Sequence, residues 1–301
     1  MASLQFKGVI PPMITPFSEN GDVDYKAFEF NMQKWNSDKI GAYLVLGSNS
    51  ETTYLSEDEK LKLIEIAVKT APAGRPVIVG SGSDSLRETI RLTNLAGKMG
   101  CSSALVLTPF YYAEQMTSES LIKYFSTVAD NCDIPILLYN VPKFTHVNMK
   151  GDAVAELAKH PGIIGMKDST GDVTQLGTFK KLVPDDFNLM VGTASSWFPA
   201  LTLGVKAGIH ALANCNPNEC AAVQEAYESG DLKKAAEIYM HLLPLNTAVT
   251  ATYSIAGLKY ACTCQGYQGK TVRSPLLPIT PEKTAAIDKI MKKALDAIKS
   301  L

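Results

Sequence analysis

One lysine in this 301-residue chain ends an apolar segment, where its amine could act as a nucleophile. Period-two alternation in a strand places Lys167 on one face with Ile163 and Gly165. Ile164 and Met166 then lie on the other face. Apolar surroundings disfavour an ammonium ion, so we expect Lys167 to supply the free amine that Schiff-base chemistry needs. The segment equally fits a lysine that reaches solvent or pairs with the aspartate that follows it.

A tyrosine ends the preceding apolar segment, Ile134–Tyr139, and shares a face with Leu137. If the two segments are neighbouring parallel strands, Tyr139 and Lys167 lie side by side at their carboxyl ends, where barrel enzymes carry out catalysis. A tyrosine in that place can relay a proton. The alternative is a buried aromatic residue that caps a barrel and bonds to the backbone.

A cluster of hydrogen-bond donors follows an earlier apolar segment. The stretch Gly47–Glu51 reads Gly-Ser-Asn-Ser-Glu and supplies hydroxyl, amide and backbone N–H groups. Such donors can hold a substrate carboxylate. Taken alone, the same composition is typical of an ordinary turn.

Eight short apolar segments alternate with helical patterns and would position these groups. Their spacing of roughly 20–35 residues suits one strand and one helix per repeat, which predicts an α/β protein built as a (β/α)₈ TIM barrel. Capping patterns predict helix starts at Ser56, Ser85 and Asp172, and a first helix from Asp24. The eight segments are Gly8–Met13, Ala42–Leu46, Val77–Val79, Ala104–Leu107, Ile134–Tyr139, Ile163–Lys167, Leu189–Val191 and Ile209–Leu212.

After the eighth segment the alternation stops and four helical patterns follow. They cover Pro217–Ser229, Asp231–Leu243, Thr250–Cys262 and Pro281–Ser300. Helices with one apolar face need a surface to cover. We therefore expect a barrel over residues 1–225 and a C-terminal helical extension, residues 226–301, packed on it.

The composition excludes several classes of protein. A net charge of -1 from 29 basic and 30 acidic residues argues against a nucleic-acid partner, and no apolar run is long enough for a membrane span, so the expected location is the cytoplasm. The six cysteines lack paired spacing and are expected to be reduced. The four histidines are scattered without ligand spacing, so no metal is expected.

Four motifs, each expected at a strand end, resemble those of the dihydrodipicolinate synthase / N-acetylneuraminate lyase superfamily of pyruvate-dependent class I aldolases. They are Gly47–Glu51, Thr108–Tyr112, Tyr139–Pro142 and Gly165–Ser169. The resemblance runs from about Gly8 to Pro278. It implies an enzyme that needs neither metal nor cofactor, because a covalent lysine imine polarises its small 2-oxo acid substrate.

The resemblance also implies roles for individual residues. Lys167 would form the imine with pyruvate, and Tyr139 would move the proton of the reacting hydroxyl. Ser48 and Asn49 would bind the pyruvate carboxylate.

Further roles concern the surroundings of the lysine and the assembly. Tyr111 would support Tyr139, across a subunit contact in a homotetramer that is a dimer of dimers. Backbone groups near Gly192 and Ile209 would line the lysine pocket.

The sequence departs from the family pattern at two positions, and the first of them concerns the second substrate. The synthases carry an arginine where Phe144 stands, and it grips a carboxylate of that substrate, which phenylalanine cannot do. Lys143 is adjacent and is expected to point elsewhere. The superfamily's turn motif has glycine where Ser50 stands. We expect the acceptor pocket to be shaped by Lys143, Phe144, Ser195 and Asn214.

The preferred interpretation is therefore an aldolase that cleaves or forms a 4-hydroxy-2-oxo acid of the 4-hydroxy-2-oxoglutarate or 2-keto-3-deoxy sugar-acid type, whose motifs look most similar. A 4-hydroxy-tetrahydrodipicolinate synthase or an N-acetylneuraminate lyase on the same scaffold is the alternative. Two more distant alternatives are a phosphosugar isomerase that binds phosphate at Gly192–Ser196 and a non-catalytic barrel that binds a 2-oxo acid.

Overall fold

Eight parallel strands form the centre of the molecule, and the predicted (β/α)₈ barrel is confirmed. The structure is a computed structural model that describes residues 4–301. Strands pair in the order β1-β8-β7-β6-β5-β4-β3-β2, and bridges from Val9 to Ile40 and from Pro12 to Leu44 bring β1 against the β2 side. The strands are β1 Gly8–Ile10, β2 Tyr43–Val45, β3 Val77–Gly80, β4 Ser103–Leu107, β5 Ile136–Asn140, β6 Ile163–Asp168, β7 Asn188–Val191 and β8 Ala207–Ile209.

Helices surround the strands and continue past them at the carboxyl end of the chain. The helices around the strands are α1 Tyr25–Asn36, α2 Glu57–Thr70, α3 Leu86–Lys98, α4 Ser118–Asp130, α5 Pro142–Thr145, α6 Gly151–Leu157, α7 Val173–Leu182, α8 Trp197–Thr202 and α9 Pro217–Glu228. Those of the C-terminal part are α10 Leu232–Thr247, α11 Ser254–Cys264 and α12 Pro281–Lys299. None of the helices within residues 4–301 is long and apolar enough to cross a membrane.

The predicted helix starts are confirmed by the caps. Ser56 accepts the N–H of Glu59 while the Glu59 carboxylate accepts the N–H of Ser56, so both bonds of a capping box are present. Ser85 caps α3, and Asp172 accepts two N–H groups at the start of α7. Asp24 likewise caps α1. Each cap satisfies donors that the first turn leaves without partners.

Strand β8 is shorter than expected and begins earlier. It spans Ala207–Ile209 instead of Ile209–Leu212, and a 3₁₀ turn, Ala211–Asn214, follows it. The Asn214 side chain donates to the Pro12 carbonyl at 2.9 Å and accepts the Ile14 N–H at 3.1 Å. These bonds tie the segment to the loop after β1, so the apolar residues after Ile209 form a turn.

Strand β6 does not keep strict alternation. Ile136 pairs with Ile163 but Leu137 pairs with Gly165, so β6 carries one extra residue. As a result Ile163 joins the outer core with Met166, while Ile164 packs against the barrel interior. The predicted grouping of Ile163 with Lys167 is therefore wrong, although Gly165 and Lys167 keep the interior register of Leu137 and Tyr139.

The C-terminal part covers the open end of the barrel with one irregular segment. A π-helical turn, Ala248–Thr252, joins α10 to α11. Turns of this kind occur frequently at functional sites. The boundary proposed at residue 225 stays a prediction, and α9 runs across it to Glu228.

Candidate active site

Lys167 and Tyr139 meet at the carboxyl end of the barrel. They are direct partners in the β5–β6 register, and the Lys167 Nζ lies 4.3 Å from the centre of the Tyr139 ring. Lys167 is only 3% exposed. The neighbouring Asp168 carboxylate instead accepts hydrogen bonds from Asn140 and Thr170. The alternative of a solvent-exposed or Asp168-paired lysine is therefore wrong.

The Tyr139 hydroxyl is prepared to exchange a proton. It lies 3.2 Å from the Ser48 hydroxyl, and the side chain is 6% exposed. Burial alone would raise its pKa, but the Lys167 charge and the Ser48 hydrogen bond outweigh burial, so the pKa of Tyr139 lies below its usual value of 10.0. Tyr139 can therefore release its proton more readily than a free tyrosine.

The donor turn after β2 lies beside this pair. Ser48–Ser50 form a 3₁₀ turn, and the left-handed conformation falls on Glu51, at φ 54°. Ser50 donates to the Met13 carbonyl at 2.6 Å, so the position where the superfamily has glycine holds serine in a bonded turn. The Asn49 Nδ2 group is buried and has no hydrogen-bond partner among residues 4–301. Leaving a buried donor without a hydrogen bond costs free energy, so this amide is suited to donate to an acceptor atom of a ligand.

A cavity of about 350 Å³ opens over these groups. It is lined by Lys167, Tyr139, Ser48 and Asn49. Its other lining residues come from several parts of the chain. They are Pro12, Val141, Lys143, Phe144, Ser169, Thr170, Gly171, Gly192, Thr193, Ser195, Ile209, Ala211, Val249, Thr250, Ala251, Ser254 and Ile255.

Gly192 and Ile209 both line the cavity, as expected. A Cβ atom on Gly192 would lie 1.8 Å from the Ser169 Oγ, so any side chain there would displace Ser169. Ile209 is fully buried at the end of β8. These two residues give the lysine pocket a fixed wall.

Tyr111 lies away from the cavity within residues 4–301. Its side chain is 77% exposed, its ring stacks edge-on with Tyr112 at 5.0 Å, and its N–H donates to Asp84. A single chain therefore does not bring Tyr111 to Tyr139. Its supporting role stays a prediction that requires a second chain.

Lys143 lines the cavity, so the expectation that it points elsewhere is wrong. Its Nζ donates to the Thr250 carbonyl at 3.3 Å and lies 5.7 Å from the centre of the Phe144 ring. Phe144 is 53% exposed at the cavity edge. Asn214, in contrast, is fully buried and serves the backbone after β1.

Sequence reasoning missed the contribution of the C-terminal part. Val249, Thr250 and Ser254 belong to the π-turn and the start of α11, and no local pattern marks them as cavity residues. Helix α10 also holds Ser195, because Asn246 donates to its Oγ at 2.7 Å and Tyr239 donates to its carbonyl at 2.5 Å.

Comparisons with known proteins agree on the family. The Dihydrodipicolinate synthetase family model matches residues 5–294. The 4-hydroxy-tetrahydrodipicolinate synthase of Macrococcus caseolyticus is 35% identical over 283 residues, 94% of each chain. The chain belongs to the dihydrodipicolinate synthetase family. It is an enzyme of the corresponding pyruvate-dependent class I aldolase and lyase superfamily.

Solved structures of this family share the whole fold. Dihydrodipicolinate synthase from Aquifex aeolicus gives a TM-score of 0.89 at 33% identity and covers 96% of this chain and 98% of that chain. The chloride-inhibited enzyme from Acinetobacter baumannii, complexed with pyruvate, gives a TM-score of 0.90 at 27% identity and covers 96% of this chain and 99% of that chain.

Proposed function

We propose that this family member joins pyruvate to an aldehyde, or cleaves the resulting 4-hydroxy-2-oxo acid, through an imine on Lys167. The observation that carries the proposal is a buried lysine amine beside a tyrosine of lowered pKa inside a cavity. The pyruvate complex of the Acinetobacter baumannii relative supports the choice of 2-oxo acid.

The reaction begins when the Lys167 amine attacks the ketone carbon of the 2-oxo acid and water leaves. The resulting iminium accepts the electron pair of the bond that breaks. In the cleavage direction Tyr139 takes the proton of the C4 hydroxyl, the C3–C4 bond breaks, and an aldehyde departs. The remaining enamine takes up a proton at C3, and water then releases pyruvate and restores the amine.

The turn after β2 would hold the pyruvate carboxylate. Asn49 Nδ2 has no partner within the described chain, and the Ser48 hydroxyl faces Tyr139. Anchoring the carboxylate there would fix the carbonyl carbon against the Lys167 amine. Positioning of this kind converts a bimolecular attack into an effectively unimolecular one.

Two acceptor types remain, and different observations favour them. The similarity to the Macrococcus caseolyticus enzyme favours 4-hydroxy-tetrahydrodipicolinate synthase, for which we propose an amino-acid semialdehyde as acceptor. The cavity favours a 4-hydroxy-2-oxoglutarate or sugar-acid type, since Phe144 stands where the synthases have arginine and the hydroxyl-bearing residues Thr170, Thr193 and Ser195 line the cavity. The comparisons support the synthase better than this second reading.

Lys143 supplies a cation for either acceptor if that acceptor carries a carboxylate. Its Nζ donates to the Thr250 carbonyl at 3.3 Å, which is a long hydrogen bond that a carboxylate would replace. We propose that the chain acts without a resident metal or cofactor, in the cytoplasm. We also propose a homotetramer in which Tyr111 reaches the Tyr139 of another subunit.

The first experiment is reductive trapping. The protein is incubated with pyruvate and sodium borohydride, digested, and searched by mass spectrometry for an added mass of about 72 Da, the reduced pyruvate imine. We expect this adduct on the peptide that contains Lys167 and its absence from Lys167→Ala. A folded wild-type protein without the adduct would remove pyruvate imine chemistry from the proposal.

The second experiment identifies the acceptor. Pyruvate is offered with L-aspartate semialdehyde, glyoxylate or a short sugar aldehyde, and kcat/KM is compared. A preference for the semialdehyde supports the synthase, and a preference for either of the others supports the 4-hydroxy-2-oxo acid aldolase. Turnover of none of them, with intact imine trapping, would favour a 2-oxo acid binding barrel.

A further inference from the structure

A buried ion pair joins the donor turn after β2 to the C-terminal helix α11. The Glu51 Oε1 lies 2.5 Å from the Lys259 Nζ, and both side chains are 1% exposed. The second carboxylate oxygen, Oε2, accepts the Arg273 N–H at 2.9 Å. Both oxygens of Glu51 are therefore engaged by the last fifth of the chain.

The lysine of this pair is equally fixed. Its Nζ donates to the Thr271 carbonyl at 2.5 Å and lies 4.4 Å from the centre of the Phe17 ring. Phe17 in turn is bridged to Thr271 and Val23 by backbone pairing. Lys259 thus connects the loop after β1, the turn after β2 and the C-terminal segment.

The Glu51 backbone explains why such a connection matters for the turn. Glu51 adopts the left-handed conformation at φ 54° and ψ 36°, and its N–H donates to the Ser48 carbonyl at 3.3 Å. A residue other than glycine rarely adopts this conformation unless its surroundings impose it. The Glu51 carboxylate is held at both oxygens, and Glu51 ends the turn that carries Ser48 and Asn49.

The burial of the charges argues against a purely stabilising role. Removing two charges from water is costly, and an apolar pair of similar volume often gives equal or greater stability. In some proteins a buried polar or charged group is retained because it fixes one geometry that apolar contacts leave open. Its value in this molecule therefore lies in where it sets the turn.

We infer that Glu51 and Lys259 are positioning residues that hold the turn of Ser48 and Asn49 in the geometry that receives the pyruvate carboxylate. The C-terminal part thereby contributes to substrate binding through the turn after β2. This inference rests on the proposed function of the turn.

The test is the pyruvate concentration required for half-maximal borohydride trapping. In Glu51→Gln we expect that concentration to rise about 10- to 100-fold while the maximal extent of trapping stays near that of the wild type, because the Lys167 amine is untouched. A half-saturating concentration within twofold of the wild type would overturn the inference. Loss of maximal trapping at an unchanged half-saturating concentration would also overturn it.

Two further variants separate positioning from stability. The double variant Glu51→Gln/Lys259→Met removes the unpaired buried charge, so we expect its Tm to recover while its weak pyruvate response remains. The control Ile287→Ala loosens the same extension, since Ile287 is buried against α11 near Gly257. We expect it to lower the Tm without changing the pyruvate response.

The remaining outcomes also decide. If the double variant recovered both the normal pyruvate response and the Tm, the ion pair would have a structural role only. The same conclusion would follow if Ile287→Ala responded to pyruvate as weakly as Glu51→Gln. Absence of trapping in the wild type would instead refute the proposed function itself. The failures of the two proposals are therefore distinguishable.

Discussion

The two ends of the cavity are built differently. The end that would hold pyruvate comes from strand ends and the turn after β2, and its lysine and tyrosine are 3% and 6% exposed. The end proposed for the acceptor comes from the short helix α5, the π-turn and the start of α11, and Phe144 there is 53% exposed. Buried strand ends keep reacting groups fixed, whereas loops can vary without loss of the barrel. Chemistry and specificity are therefore expected to respond separately to mutation.

The largest effect is expected at the nucleophile. Lys167→Ala should lower kcat by roughly 10⁴-fold or more, because no imine can form. The loss should appear in steady-state assays with any acceptor, while circular dichroism stays that of the wild type. Substantial residual activity would mean that another residue is the nucleophile, and the contrast between the two ends would then fail.

The tyrosine should have the next largest effect. Tyr139→Phe removes the hydroxyl that moves the proton and should reduce kcat by roughly 10²–10⁴-fold. Pyruvate trapping should persist, because the Lys167 amine remains. If trapping were lost together with kcat, Tyr139 would act on imine formation and not only on the later proton transfer.

The acceptor end should give smaller and selective effects. Lys143→Met should raise the KM for a carboxylated aldehyde by about tenfold, within the range of one specificity contact, and leave half-saturation by pyruvate unchanged. Phe144→Arg should favour the semialdehyde acceptor by a similar factor. Equal effects of Lys143→Met on carboxylated and neutral aldehydes would contradict the assigned contact.

The smallest effect is expected in the pH dependence of stability and comes from a buried histidine after β8. His210 follows β8 and is fully buried, with its ring centre 4.9 Å from that of Trp197. Neither of its ring nitrogens has a hydrogen-bond partner in the part of the chain that the structure describes. Burial, with a smaller contribution from the Lys167 charge, lowers the pKa of His210 to about 3. The protein therefore keeps a neutral imidazole that the unfolded chain would protonate near pH 6.5.

This difference in pKa between the folded and unfolded states makes the protein less stable as the pH falls. Between about pH 6.5 and pH 3 the unfolded chain binds one more proton at this site, so acidification lowers the free energy of unfolding by on the order of 1 kcal/mol per pH unit. His210→Gln should flatten the decline in the free energy of unfolding between pH 6 and pH 4, measured by denaturant titration. His241→Gln serves as the control, and an equal flattening there would contradict the assignment.

The sequence by itself determined the barrel, the register of Lys167 with Tyr139 and the helix caps. Periodicity and capping are local properties of neighbouring residues, so they can be read along the chain. The family resemblance added Ser48, Asn49, Gly192 and Ile209, all of which line the cavity.

Tertiary structure decided what local patterns do not contain. The extra residue in β6, the early end of β8 and the direction of Lys143 depend on partners distant in the sequence, such as Asn214 with the loop after β1 and Thr250 with Lys143. The pair of Glu51 with Lys259 joins residues more than two hundred positions apart. Only folding brings such groups together, because burial and hydrogen bonding across the barrel, and not neighbours along the chain, select their conformations.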